Sequence, residues 1–208
     1  LFFSLVRRRF CARCSERGET KTMKSIAALS VAGLLIGASA MAQTSVPPEP
    51  DIVAATCSVC HGDNGVSPNA RFPNLAAQTK DYLEAQLKSF RDHTRADPDA
   101  VAYMWSQAGA LSAASINEIT AYYSALPPVR GSASESAALI ATGKEIYEKG
   151  IQSASVPPCG ACHGAAGEGM SVFPRLAGQH PVYLLAQLQA FRSKARDNAI
   201  MFPNVEHM

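Results

Sequence analysis

The sequence predicts an all-α fold made of two tandem copies of one small helical unit, and three observations carry that expectation. The pentapeptide Cys57-Ser58-Val59-Cys60-His61 recurs as Cys159-Gly160-Ala161-Cys162-His163. Downstream, Phe72-Pro73-Asn74-Leu75-Ala76-Ala77-Gln78 matches Phe173-Pro174-Arg175-Leu176-Ala177-Gly178-Gln179, and Tyr82-Leu83-x-x-Gln86-Leu87-x-x-Phe90-Arg91 matches Tyr183-Leu184-x-x-Gln187-Leu188-x-x-Phe191-Arg192. The offset is 102 at the cysteines and 101 in these stretches, so one unit has been duplicated with small length changes. Third, the periodicity is helical: Tyr82, Leu83, Gln86, Leu87 and Phe90 fall at i, i+1, i+4, i+5 and i+8, one face of an amphipathic helix.

In chain order, residues 1–22 precede Met23, begin without Met and carry Arg7-Arg8-Arg9, so they read as upstream sequence in the same frame. Cys11-Ala12-Arg13-Cys14 lacks a following His and is assigned no site. Residues 23–42 read as a signal peptide: the apolar run from Ile26 to Gly37 leads to an A-x-A cleavage site at Ala40-Met41-Ala42. That run is too short to span a bilayer. Cleavage there removes seven of the 19 Lys/Arg and two of the 17 Asp/Glu, turning a formal charge of +2 into −3. No basic stripe with interleaved aromatics survives, which excludes nucleic acid as a partner.

The first domain is expected at 43–127. It begins with a short entry helix around 51–56, continues through the amphipathic helix near 82–91, and ends with a helix at about 113–126. Ser112 or Ser115 can cap that last helix, whose apolar stripe is Ile116, Ile119, Tyr122, Tyr123 and Leu126. Pro127-Pro128 stops it, and residues 128–134, rich in Pro, Gly, Ser and Ala, form the linker. The second domain is expected at 135–208, with an entry helix from Ala137 to Lys149 and the amphipathic counterpart near 182–194. At this size, apolar burial alone is marginal.

The duplicated pentapeptide has a chemical reading. On one turn of helix, residues i and i+3 present two sulfurs to the same edge of a macrocycle, where thioethers form with its two vinyl groups. His at i+4 then projects a ring nitrogen at the iron. Random placement of six Cys and five His in 208 residues gives one such pentapeptide in roughly 0.4% of chains. A zinc site would need further ligands at finger spacing, and a redox dithiol has no use for the His. All four Cys after the signal belong to the two motifs, which leaves none for a disulfide framework. Two covalently attached haem c groups are therefore expected, at Cys57, Cys60 and His61 and at Cys159, Cys162 and His163.

The second axial ligand is sought among Met104, Met170, Met201 and Met208. Met104 lies seven residues before Leu111 and Met201 seven before Met208, each after a segment containing Arg (Arg95, Arg196), so Met104 and Met201 are chosen. Core packing is the competing explanation for any Met. Met170 has no Met counterpart and reads as a loop residue. His93 and His180 read as solvated or capping residues, and His207 lies next to the chain end.

The two C-x-x-C-H-G motifs, the paired F-P-x-L-A-x-Q and Y-L-x-x-Q-L-x-x-F-R segments and a downstream Met in each half make the chain similar to the cytochrome c4 family over residues 50–208. The resemblance implies two class I cytochrome c-like domains, each wrapped around one haem, with His61/Met104 and His163/Met201 as axial pairs. It also implies that the carbonyls of Pro73 and Pro174 receive the other ring N–H of each His. Arg91 and Arg192 fit either a propionate or a solvated helix face, and Tyr82, Tyr183 and Trp105 read as packing aromatics. The second copy stops seven residues past Met201, so its terminal helix is expected to be missing and the sequence is read as a fragment. Restoring an extension of about 15–20 residues is expected to raise the melting temperature of domain two.

The function so implied is that of a periplasmic electron carrier, not an enzyme, which passes electrons to a membrane oxidase, a reductase complex or a similar redox protein. No small-molecule substrate is expected. A di-haem enzyme of the cytochrome c peroxidase kind and a redox subunit of a larger oxidoreductase are the alternatives.

Overall fold

The computed structural model describes residues 45–131 and 135–208. The upstream stretch, the signal segment and linker residues 132–134 lie outside the described residues. The secondary structure is helical, and β structure among the described residues is limited to isolated bridges at Ile151–Val156 and Met170–Phe173.

In the first half, residues 51–61 form α1, longer than the expected entry helix. Its middle turn, Val53–Cys57, is π-wound and its last turn is Ser58–His61. The helix stops at Gly62, at φ +77°. A Cβ there would sit 2.1 Å from the Val66 carbonyl oxygen, so the tight exit requires glycine. α2 (Lys80–Arg91) buries Leu83 and Phe90. On its outer face, Glu84 bridges Lys80 at 3.4 Å and Lys88 at 2.7 Å. Such exposed i,i+4 pairs contribute a few tenths of a kcal/mol each.

α3, residues 98–108, was not expected from the sequence. Its turn Ala100–Met104 is also π-wound. α4 (Ala113–Ala125) starts where Ser112 Oγ accepts from the Ser115 N–H at 3.0 Å, and it buries Ile116, Ile119, Thr120, Tyr122 and Tyr123. Val53, Leu83, Phe90, Ala100, Ala108 and the α4 stripe form one continuous apolar cluster. Each large side chain in it contributes about 1.5–3 kcal/mol by leaving water.

The second half repeats the motif with less packing around it. α5 (Ala137–Lys149) is capped by Ser136, whose Oγ accepts from the Leu139 N–H at 3.3 Å, and none of its side chains is fully buried. Tyr147 nevertheless docks it, donating from its hydroxyl to the Gly164 carbonyl at 2.5 Å. A single 3₁₀ turn, Gln152–Ala154, leads to α6 (Gly160–His163), which stops at Gly164, φ +86°. α7 (Pro181–Arg192) begins on a proline whose missing N–H costs the first turn nothing, and it buries Gln187, Ala190 and Phe191. α8 (Met201–Val205) buries Val205. Among the described residues α8 is the last element, and α4 has no counterpart there.

The halves belong to one compact unit, residues 42–208, joined by a reciprocal polar seam. Gln78 donates to the Arg175 carbonyl (3.0 Å) and accepts from the Arg175 N–H (2.6 Å). Its repeat mate Gln179 donates to the Asn74 carbonyl (2.9 Å) and accepts from the Asn74 N–H (2.8 Å). Each amide thus satisfies both backbone groups of one residue in the other half. This accounts for polar groups that would be costly to bury alone.

Candidate haem sites

α1 and α6 each bring two sulfurs and an imidazole to one helical edge, since residues three and four apart share a face. Both histidines are buried. His61 Nδ1 donates to the Pro73 carbonyl at 2.9 Å, and His163 Nδ1 donates to the Pro174 carbonyl at the same distance. A carbonyl only accepts, so Nδ1 carries the donated proton, and in the neutral ring the lone pair then lies on Nε2. Burial pushes the His61 imidazole below its ordinary value, against an opposing contribution from the Pro73 bond. That favours the neutral ring a metal requires. The contacts expected at Pro73 and Pro174 are thus present in both halves.

The four Cys are unpaired and half-buried. Burial pushes the Cys57 and Cys159 thiols up, keeping them protonated. Beside Cys57 lies Tyr123, itself pushed up by burial first and by Cys57 second. Beyond that thiol, its hydroxyl has no hydrogen-bond partner among the described residues.

Met104 ends the π-wound turn of α3 and packs against the first-half core. An aromatic relay connects its segment to His61: His61 meets Phe72 edge-on at 6.4 Å, and Phe72 meets Tyr103 edge-on at 5.3 Å. In the second half His163 meets Phe173 at 6.4 Å, but Ile200 stands where Tyr103 would be. Met201 opens α8, and Asn198 Oδ1 accepts from its N–H at 2.8 Å. Met170 is exposed in the loop.

The remaining candidates fall elsewhere. His93 is exposed and stacks on Trp105 at 4.1 Å. His180 occupies the start of α7 without a capping bond, because its Nε2 instead donates across the seam to the Ser67 carbonyl at 3.1 Å. Arg91 pairs with adjacent Asp92, and Arg192 donates to the Met208 carbonyl. Tyr82 does more than pack: its hydroxyl accepts from Arg196 at 2.9 Å. Periodicity alone does not reveal this bond, since the partner lies 114 residues away.

The donor set fits a covalently held haem in each half: two thiols, an imidazole aimed by a carbonyl, and a thioether on a separate helix. Arg175 adds a buried Nε with no partner among the described residues, one residue after the carbonyl that holds His163. This suits a carboxylate-bearing group. Helical domains with these features define a c-type cytochrome of two tandem units.

Comparison with known proteins agrees. The cytochrome c family model matches twice, at residues 50–126 and 140–208. Cytochrome c-552 of Acidithiobacillus ferridurans is 40% identical over 165 residues, covering 79% of this chain and 72% of that protein. A thiosulfate dehydrogenase electron acceptor of Thiomonas intermedia strain K12 is 33% identical, covering 84% of this chain and 78% of its own length. The solved cytochrome c4 of Acidithiobacillus ferrooxidans superposes with a TM-score of 0.69 at 39% identity, over 73% of this chain and 89% of that one. The chain belongs to the cytochrome c4 family of two-domain cytochromes c. It is a c4-like electron carrier, and its family implies covalently bound haem c, for which two domains offer two places. Among the described residues no helix is long and apolar enough to cross a membrane.

Proposed function

We propose that this chain carries electrons in the periplasm through two haem c groups, one thioether-linked at Cys57 and Cys60 and the other at Cys159 and Cys162. His61 with Met104 and His163 with Met201 would hold the two irons. The observation that carries this reading is the matched pair of Nδ1–carbonyl bonds, which aims both imidazoles identically. Bound haem supplies one-electron exchange between ferric and ferrous iron. The chain's own task is to keep the ligand geometry unchanged between those states. Pro73 and Pro174 hold the rings, the Tyr103–Phe72 contact braces the Met104 segment, and Asn198 pins the start of the Met201 helix. The signal pattern of residues 23–42 supports export.

Counting covalent haems, together with visible spectra and a redox titration, tests the assignment: two haems per chain with a thioether-to-iron signature are expected, and one haem or no such signature would refute it. Carbon monoxide separates carrier from peroxidase-like enzyme. Binding at neither reduced haem fits the carrier, and rapid binding at one fits the enzyme.

A membrane oxidase or similar redox protein is the proposed acceptor. The Thiomonas relative favours a second reading, in which the chain takes electrons from a thiosulfate-oxidising dehydrogenase. Reduction of the holoprotein by such an enzyme with thiosulfate would support it, and failure under conditions where a chemical reductant succeeds would remove it.

A further inference from the structure

Two buried arginines meet at the seam, and their bonds cross. Arg95 Nη1 donates to Gln86 of its own half at 2.9 Å, and Nη2 donates to Gln187 of the other half at 2.9 Å. Arg196 Nη1 donates to its own Gln187 at 2.6 Å, and Nη2 donates across to Gln86 at 2.8 Å and to Tyr82. Each glutamine oxygen therefore accepts from both guanidiniums, one from each half. The planar fork of arginine permits this, and the point charge of lysine does not.

The cluster reaches the Met104 segment directly. Asp97 accepts from Arg95 Nε at 2.7 Å, and its carbonyl receives the Val101 N–H at 3.1 Å inside α3. The Arg95 carbonyl receives the Trp105 indole N–H at 2.8 Å, one residue after Met104. On the other side Arg196 lies five residues before Met201. No carboxylate matches Asp97 there, because the corresponding residue is Asn198. Among the described residues, the Arg196 guanidinium donates to Gln86, Gln187 and Tyr82. Burial pushes the Tyr82 phenol up, but Arg196 and Arg95 outweigh it and hold it below its usual value. Loosening the seam would strand a buried cation.

We propose that Gln187 and Gln86, acting through Arg95 and Arg196, are positioning residues by which each domain holds the other's methionine segment, so that the seam sets the geometry for electron passage between the two haems. This rests on the carrier reading above.

The test uses the di-haem holoprotein, and Trp105, the only tryptophan in the chain, reports on the first-domain segment. Gln187→Ala, a change in the second domain, is expected to shift Trp105 emission to longer wavelength and to slow flash-initiated transfer between the haems. Gln187→Glu, which keeps the reach and the acceptor, is expected to restore both. If Gln187→Ala does not accumulate, Gln187→Asn withdraws the acceptor by one methylene and is expected to produce the same two changes. A folded variant with two haems, unchanged emission and an unchanged transfer rate would overturn the inference. A wild-type protein that transfers no electron between haems would overturn the carrier reading itself, and this inference with it.

Discussion

The two halves hold the same ligand geometry inside different packing. In the first, α1 sits in an apolar cluster closed by α4, and Tyr123 reaches the first cysteine from that terminal helix. In the second, Tyr147 comes from the entry helix α5, contacts Gly160 and bonds Gly164, while α5 buries no side chain completely. Yet His61 and His163 make the same bond to a proline carbonyl at the same distance. The comparison teaches that the short C-x-x-C-H-G turn and the F-P segment carry the ligand geometry by themselves. Among the described residues, the surrounding helices supply stability rather than ligand geometry.

If that division holds, substitutions at the motif should act alike in both halves and substitutions in the packing should not. The largest expected effect is all-or-none: Cys57→Ser with Cys60→Ser, or Cys159→Ser with Cys162→Ser, should each leave one covalent haem per chain, read by haem staining and pyridine haemochrome. Next, Tyr123→Ala should cost domain one about 3–5 kcal/mol, since the ring is wholly buried, with Tyr147→Ala costing domain two less. Thermal melting of each domain measures the gap, and equal losses would erase the contrast. Tyr123→Phe should cost far less than Tyr123→Ala, because it keeps the buried ring and removes only the hydroxyl beside Cys57.

A smaller effect concerns the seam. Asp97→Asn weakens a charge-assisted bond between two buried groups and should cost about 2 kcal/mol. Asn198→Asp keeps a capping oxygen for Met201 and brings a carboxylate near Arg196, so chemical denaturation should show little loss. At the caps, Ser112→Ala and Ser136→Ala should each cost about 1 kcal/mol. Because both oxygens make the same bond, this pair should be the least discriminating.

Much of this was legible in the sequence for local reasons. The Ser112 cap, the α4 stripe and the span of α5 follow from spacing within a dozen residues, as does the shared face of the two cysteines and the histidine. α3 was not legible, because its Ala100–Met104 turn is π-wound and shifts the side chains off the 3.6-residue period. The crossed bonds of Arg95 and Arg196 were missed because they depend on docking two distant halves. One signal was available: Gln86 and Gln187 recur on an otherwise apolar helix face, where a polar residue needs a partner. His180 misled for the same reason, since its place at a helix start is local and its bond to Ser67 is not.

The grip of Gln78 and Gln179 is on main chain alone, which has a consequence for how duplicated halves drift. Whatever side chain stands at the gripped position, the N–H and C=O it offers are the same. The two copies have used that licence: one position is Asn74 and the other is Arg175. Asn74 has turned inward, donating to the Gly178 carbonyl and accepting from the Ser67 N–H, while Arg175 keeps a guanidinium nitrogen uncommitted. A seam that reads backbone leaves sequence free to specialise on either side of it.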